Sequence, residues 1–169
     1  GLYAANDSNK NVGKCPSGSY TGITGIQYAY SRGEMDILYP ARVNPIESSI
    51  VAGININGVR TLSADPERRY INAERIFQFL DLSIANSSNW IKFENNGPAL
   101  WSLVKLQVEG FLNNLFINGY FAGNTPTDAF FVVVDNSNNP SSSVSAGFLY
   151  IDIGVALNKP AEFIVFRYQ

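Results

Sequence analysis

Histidine is absent from this sequence of 169 residues, and cysteine occurs once, as Cys15. Ser-His-Asp triads, Cys-His dyads and ordinary zinc sites all need an imidazole, so those chemistries are excluded. A single thiol forms no intrachain disulfide. Charged residues make up only 15% of the chain, against a usual share of about a quarter. The net charge of -2 comes with no basic run, which argues against nucleic acid as a partner. No apolar run approaches the ~20 residues needed to span a membrane. No signal peptide, Gly-rich phosphate loop, internal repeat or interdomain linker is visible. The chain begins Gly-Leu-Tyr without an initiator Met and reads as an excised fragment of a longer protein, with a processed N-terminus as the alternative.

What is present is a large apolar share, 46%, with abundant Asn, Ser and Gly. That is enough for a sizeable core. Few surface charges suit a protein partly covered by partners, and secreted binding modules share that composition. The most informative stretch is the end, Lys159-Pro-Ala-Glu-Phe-Ile-Val-Phe-Arg167 followed by Tyr168-Gln169. Residues 163–168 form a strand pattern in which Phe163, Val165 and Arg167 share one face and Ile164, Phe166 and Tyr168 the other. Neither face suits water. Such a strand is a liability in a free monomer unless it is buried in its own sheet or added to a neighbour's.

Residues 7–19 read as a long polar loop and residues 20–30 as a weak, bent strand interrupted by Gly22 and Gly25. Residues 34–39 fit one helical turn, stopped by Pro40. Asn57-Gly58 fits a tight hairpin turn or a bulge. Asp65-Pro66-Glu67 is a helix start: Asp65 caps free N–H groups, Pro66 fits the first position, and Arg69 lies four residues beyond Asp65. Tyr70, Ala73, Phe77, Leu80 and Ile84 then step by three and four, and Asn86-Ser-Ser-Asn89 ends the helix.

Trp90 to Phe93 reads as a short strand. A second helix starts near Pro98 and carries a stripe of Leu100, Val104, Val108, Phe111 and Leu115, widened by Trp101 and Leu112. Gly110 inside it predicts a close backbone neighbour. Residues 129–135 read as a central strand covered on both faces, and residues 148–157 as a second strand pairing with it. The fold expected is α/β (α+β) in a single domain: a mixed sheet packed by two long helices, with an exchangeable C-terminal strand.

Several local matches have plain structural readings. Ser102-Leu-Val-Lys105 fits an acyl-transfer pattern, but its companion motifs are missing and a solvated helix face explains it. Asp65 and Glu67 could pair for acid/base work, but a helix start explains both. Asn6-Asp-Ser8 and Asn86-Ser-Ser88 are sequons in turn and cap positions. Cys15, in a loop beside Lys14, reads as an incidental thiol. Arg68 and Arg69 are either a solvated face or half of an ionic contact with a partner. No catalytic residue, metal site or cofactor is expected.

A wider pattern then emerges. Gly1-Leu-Tyr-Ala-Ala, Gly13-Lys-Cys-Pro-Ser-Gly18, and the block from Gly58-Val-Arg-Thr-Leu62 through Asp65-Pro-Glu67 to Phe79 resemble the C-terminal region of contractile tail sheath proteins. So do Trp90-Ile-Lys-Phe-Glu94, Pro98-Ala-Leu-Trp101, Ala122-Gly-Asn-Thr-Pro126 with Asp135, residues 147–156, and Pro160-Ala-Glu-Phe-Ile-Val-Phe-Arg167. That family serves contractile phages, R-type pyocins and extracellular injection systems. Where many members carry Trp after Asp-Pro-Glu, this chain has Arg68.

The resemblance implies a structural subunit, with the N-terminal part of the full protein absent here and residues 159–169 acting as an arm. It implies partners: other subunits in sixfold rings stacked helically, an inner tail tube, a baseplate and a tail terminator, with neither nucleic acid nor membrane. It places the particle in a virion tail or injection machine assembled in the bacterial cytoplasm. Interface candidates are Phe163, Ile164, Val165, Phe166, Arg167, Tyr168, Arg68 and Arg69. Asn158, Lys159 and Pro160 are the candidate hinge. The alternatives are a secreted glycan-binding or adhesin module and a carboxylate hydrolase.

Overall fold

The structure is a computed structural model, and it describes residues 1–19, 22–50, 53–161 and 167. The expected terminal strand therefore lies outside the described residues except for Arg167, which is exposed. The chain divides into two compact units, one of Gly1–Phe77 with Lys159–Gln169 and one of Gln78–Asn158.

The first unit opens with α1 (Leu2–Asn9), whose last turn takes up residues 7–9 of the expected polar loop. Asn6 on this helix is buried and donates to the carbonyls of Asn11 and Lys14, at 3.0 and 3.2 Å, so the loop closes over it. That position removes Asn6 as a glycan acceptor. The strand expected over residues 20–30 is not formed by the described part, residues 22–30, where Gly22 sits at φ 80°. Instead a lone bridge joins Ser19 to Asn55. α2 (Arg32–Leu38) starts earlier than expected because Ser31 and Glu34 form a reciprocal capping box.

β1 (Ile46–Ser49) and β2 (Gly53–Ile56) pair antiparallel, with Ile46 opposite Ile56. The reversal precedes Gly53, which takes φ 71°, and does not fall at Asn57-Gly58. Gly58 is needed for a different reason: a Cβ there would meet the Asn44 side chain at 2.5 Å and the Tyr39 ring at 2.9 Å. Asn44 substitutes for a strand partner, accepting from the Arg60 N–H and donating to the Arg60 carbonyl.

Asp65 does cap, but what it caps is a 3-10 turn (Pro66–Arg68); its carboxylate accepts from the Glu67 N–H at 2.9 Å. The long helix α3 (Ile71–Ser87) starts after a further break, held by an antiparallel bridge between Arg60 and Tyr70. Ala73 and Leu80 from the expected stripe are buried, while Phe77 is half-buried. Ile76, outside that stripe, is fully buried.

In the second unit, residues 90–93 are not a strand. A 3-10 turn (Asn89–Ile91) leads to Phe93 in the left-handed region, at φ 72°. α4 (Pro98–Ile117) follows its expected stripe closely, burying Leu100, Trp101, Val104, Val108, Leu112 and Leu115. Gly110 faces open space, so the predicted close neighbour is not found. α4 packs against β3 (Phe130–Val133) and α5 (Pro126–Ala129).

β3 pairs antiparallel with β4 (Asp152–Val155), Phe130 opposite Val155. The linking segment carries a short helix, α6 (Ser141–Ser145), and buried Asn139, which exchanges two hydrogen bonds with the Tyr150 backbone. The expected coverage of both strand faces is not met, since Phe131 remains 60% exposed. The α/β class holds. Among the described residues its strands form two separate antiparallel pairs in place of one mixed sheet.

Candidate assembly surface

The groups that could suggest catalysis are engaged in structure. Ser102 Oγ donates to the Pro98 carbonyl one turn back, at 2.9 Å, and Lys105 faces Glu109 at 3.9 Å. Asp65 is occupied by capping, as above. Cys15 donates to Asn72 Oδ1 at 3.1 Å, and buried Asn72 donates to the Gly13 carbonyl at 3.3 Å, so the thiol belongs to a loop anchor. Among the described residues no group of three or more His, Cys, Asp or Glu could hold a metal ion, and no helix is long and apolar enough to cross a membrane.

Arg68 is engaged within its own chain. Its guanidinium reaches Glu74 Oε2 at 3.1 Å and lies 5.3 Å from the centre of the Phe77 ring. Arg69 is exposed and shares the lining of a small polar hollow, about 200 Å³, with Pro40, Arg42 and Arg60. Arg42 holds φ 67° and donates to the Leu62 carbonyl at 2.9 Å, and Arg60 stacks over the Tyr39 ring at 4.2 Å.

The hinge candidates Asn158, Lys159 and Pro160 straddle the division between the two units, which falls after Asn158. Lys159 reaches Glu67 at 3.5 Å, and both side chains are largely in water. Phe163, Ile164, Val165, Phe166 and Tyr168 lie outside the described residues.

Two further features have no signal in composition or periodicity. Asp7 and Arg75 form a two-pronged ion pair, with Nη1 to Oδ1 at 3.0 Å and Nη2 to Oδ2 at 2.5 Å. The hydrogen bonds from Arg75 hold the Asp7 carboxyl below its ordinary range, against a smaller opposing effect of burial. Two hydrogen bonds from Ser137 likewise lower Asp135, at the turn after β3. The second feature is the edge of each strand pair. β3 and β4 share one ladder; directly past β4 its outer side is met by Phe121, in an antiparallel bridge to Leu157, and by the Ala122 N–H, which donates to the Ala156 carbonyl at 2.8 Å, so the edge that carries no further strand among the described residues is that of β3. A two-stranded sheet is marginal in water by itself, and such an edge accepts a further strand.

A family model for the phage tail sheath C-terminal domain matches residues 63–169. The tail sheath protein of Vibrio phage KVP40 is 25% identical over 174 aligned residues, covering 99% of this chain and 25% of that protein. A chain in the sixfold-symmetrised baseplate of the anti-feeding prophage superposes with a TM-score of 0.96 at 27% identity, covering 100% of this chain and 48% of the other. A chain in the contracted sheath complex of PVC, an extracellular contractile injection system, gives 0.94 at 26% identity, covering 100% and 49%. The contracted helical sheath of the anti-feeding prophage gives 0.92 at 26%, covering 99% and 48%. The chain thus spans about half the length of these solved chains and a quarter of the KVP40 protein. None of these likenesses supports the adhesin alternative.

Proposed function

Because this chain belongs to the phage tail sheath C-terminal domain family, we propose that the protein carrying it is a structural subunit of a contractile sheath. It polymerises around an inner tube and shortens to drive that tube through a target envelope. The observation that carries this reading is the match along the whole chain to sheath subunits of contracted helical assemblies. Subunits stack as sixfold rings, engage a baseplate and terminator at the ends, and assemble in the bacterial cytoplasm. Catalysis has no part in this work, which comes from the energy difference between extended and contracted lattices.

Residues 163–169 act as an arm that adds a strand to a neighbouring subunit. The apolar residues on both faces, Phe163 and Val165 on one and Ile164 and Phe166 on the other, support that reading, as does the β3 edge that carries no further strand among the described residues. Asn158, Lys159 and Pro160 let the arm turn at its base. Arg69 is the better candidate for an ionic contact between subunits, because Arg68 is already paired within the chain.

Deleting residues 163–169 from the full-length protein should leave a folded monomer that forms no rings or tubes in negative-stain micrographs. Normal tubes from the truncated protein would refute strand donation. An intact protein that stays monomeric at high concentration would refute the sheath reading itself.

A further inference from the structure

We propose that Phe93 is a knob that seats in the hollow beside β3 and β4 of a second copy of this chain; the proposal rests on the sheath reading and specifies its contact. Phe93 combines two costs that the subunit does not recover. Its backbone sits at φ 72°, a conformation rare for a bulky residue and easy only for glycine. Its side chain is entirely in water, at 105% relative exposure, so it buries nothing within its own chain. A strained backbone that projects an aromatic ring into solvent is accounted for by something outside the subunit that covers the ring.

Helical lattices need head-to-tail contacts, in which the patch offered and the patch received differ. An apolar groove of about 470 Å³ lies next to Phe93, lined by Leu100, Leu149 and Ile151, but Phe93 itself forms part of that lining. Pairing this groove with itself would close a two-fold dimer and end growth. The cleft of about 290 Å³ near α2 has charged Arg32 and Asp36 in its lining and suits a ring less well.

The hollow beside the β3–β4 pair fits best. It measures about 310 Å³ and is lined mainly by Phe130, Phe131, Val155 and Ala156, with Thr127 and Asp128 at its α5 side. A cavity of roughly 150 Å³ accepts benzene, so a phenyl ring fits with room for its stem. The Phe131 ring lies across Gly154, where a Cβ would collide with it, and remains exposed enough to pack against an incoming ring.

The test uses the full-length protein expressed without other tail components. Phe93→Gly relieves the backbone strain, so the unassembled protein should melt at the wild-type temperature or higher. The concentration needed for tube formation should rise roughly tenfold or more, as expected for loss of an interface anchor. Thr127→Arg, on the exposed side of the receiving hollow, should raise it similarly without changing the melt. Assembly of Phe93→Gly at wild-type concentration overturns the proposal. A lower melting temperature for Phe93→Gly also overturns it, because Phe93 would then serve its own fold. Normal assembly of Thr127→Arg removes the β3–β4 hollow as the receiving site. Failure of the wild-type protein to assemble counts against the sheath reading, not against the contact.

Discussion

Two leucines on one helix provide a controlled measurement of the core. Leu112 on α4 is fully buried, at 0% exposure, and Leu106 on the same helix is 69% exposed. Replacing either by alanine removes the same atoms and changes helix propensity by the same small amount. The difference between the two variants therefore reports burial alone. Leu112→Ala combines lost transfer energy with a cavity on the buried face that α4 also lines with Val108 and Leu115, and should cost about 3–4 kcal/mol. Leu106→Ala should change stability by no more than about 0.5 kcal/mol. For a chain of this size the first corresponds to a drop of roughly 10 °C in Tm, and the second to almost none. Urea unfolding of dilute, unassembled protein, followed by far-UV circular dichroism, measures both. A cost above about 1 kcal/mol for Leu106→Ala, or below it for Leu112→Ala, would show that α4 presents a different face to its core.

The Asp7–Arg75 pair makes stability depend on pH. The folded pKa of Asp7 lies below its ordinary 3.8, so the stabilisation is complete above that value and is lost as pH falls through the lower folded value. Denaturant melts between pH 6 and pH 2 should show the wild type losing its advantage over Asp7→Asn in the acid range; parallel curves would refute the linkage. Gly110→Ala, on an open helical surface, should stabilise the unassembled protein by about 0.5–1 kcal/mol, and any loss in a thermal melt would reveal a neighbour at that position.

The helices were legible because their signals are local and repeated. Buried Leu100, Val104, Val108, Leu112 and Leu115 recur at the helical period, and Asn118-Gly119 closes α4 where a helix end is written. Similar logic failed where a tertiary contact overrode it. Trp90 to Phe93 reads as a short strand by composition, yet Trp90 gives its indole N–H to Gln107 at 3.0 Å, and the chain follows a 3-10 turn instead. Asp65-Pro-Glu starts a turn and not the helix, because Thr61 takes the Arg69 carbonyl and Ile71 the Val59 carbonyl, each by its backbone N–H, pinning the segment before α3 begins. Ile76 escaped a stripe drawn through Ala73, Phe77 and Leu80, since that stripe marks only one side of the buried surface. Of the proposed surface, the terminal arm and Arg69 are suggested by residue type alone. Phe93 could not, because neither its backbone angle nor its exposure leaves a trace in composition or spacing.

The energetics at the base of the arm bear on how a proposed sheath could move without coming apart. The exposed Lys159–Glu67 pair is of the kind worth about 0–1 kcal/mol, and salt weakens it further. An added strand of five or six residues makes several main-chain hydrogen bonds at roughly 0.5–1.5 kcal/mol each, and residues such as Phe163 and Phe166 add apolar burial. A donated strand, as proposed, would therefore outweigh the tie at its base several-fold. In the proposed contraction the weaker tie would give first, at the Asn158, Lys159 and Pro160 position where the two units of the chain divide. A reversed order of strengths would tear the lattice at its strands before the bodies could turn, so the proposed contraction requires a strand contact stronger than the tie at its base.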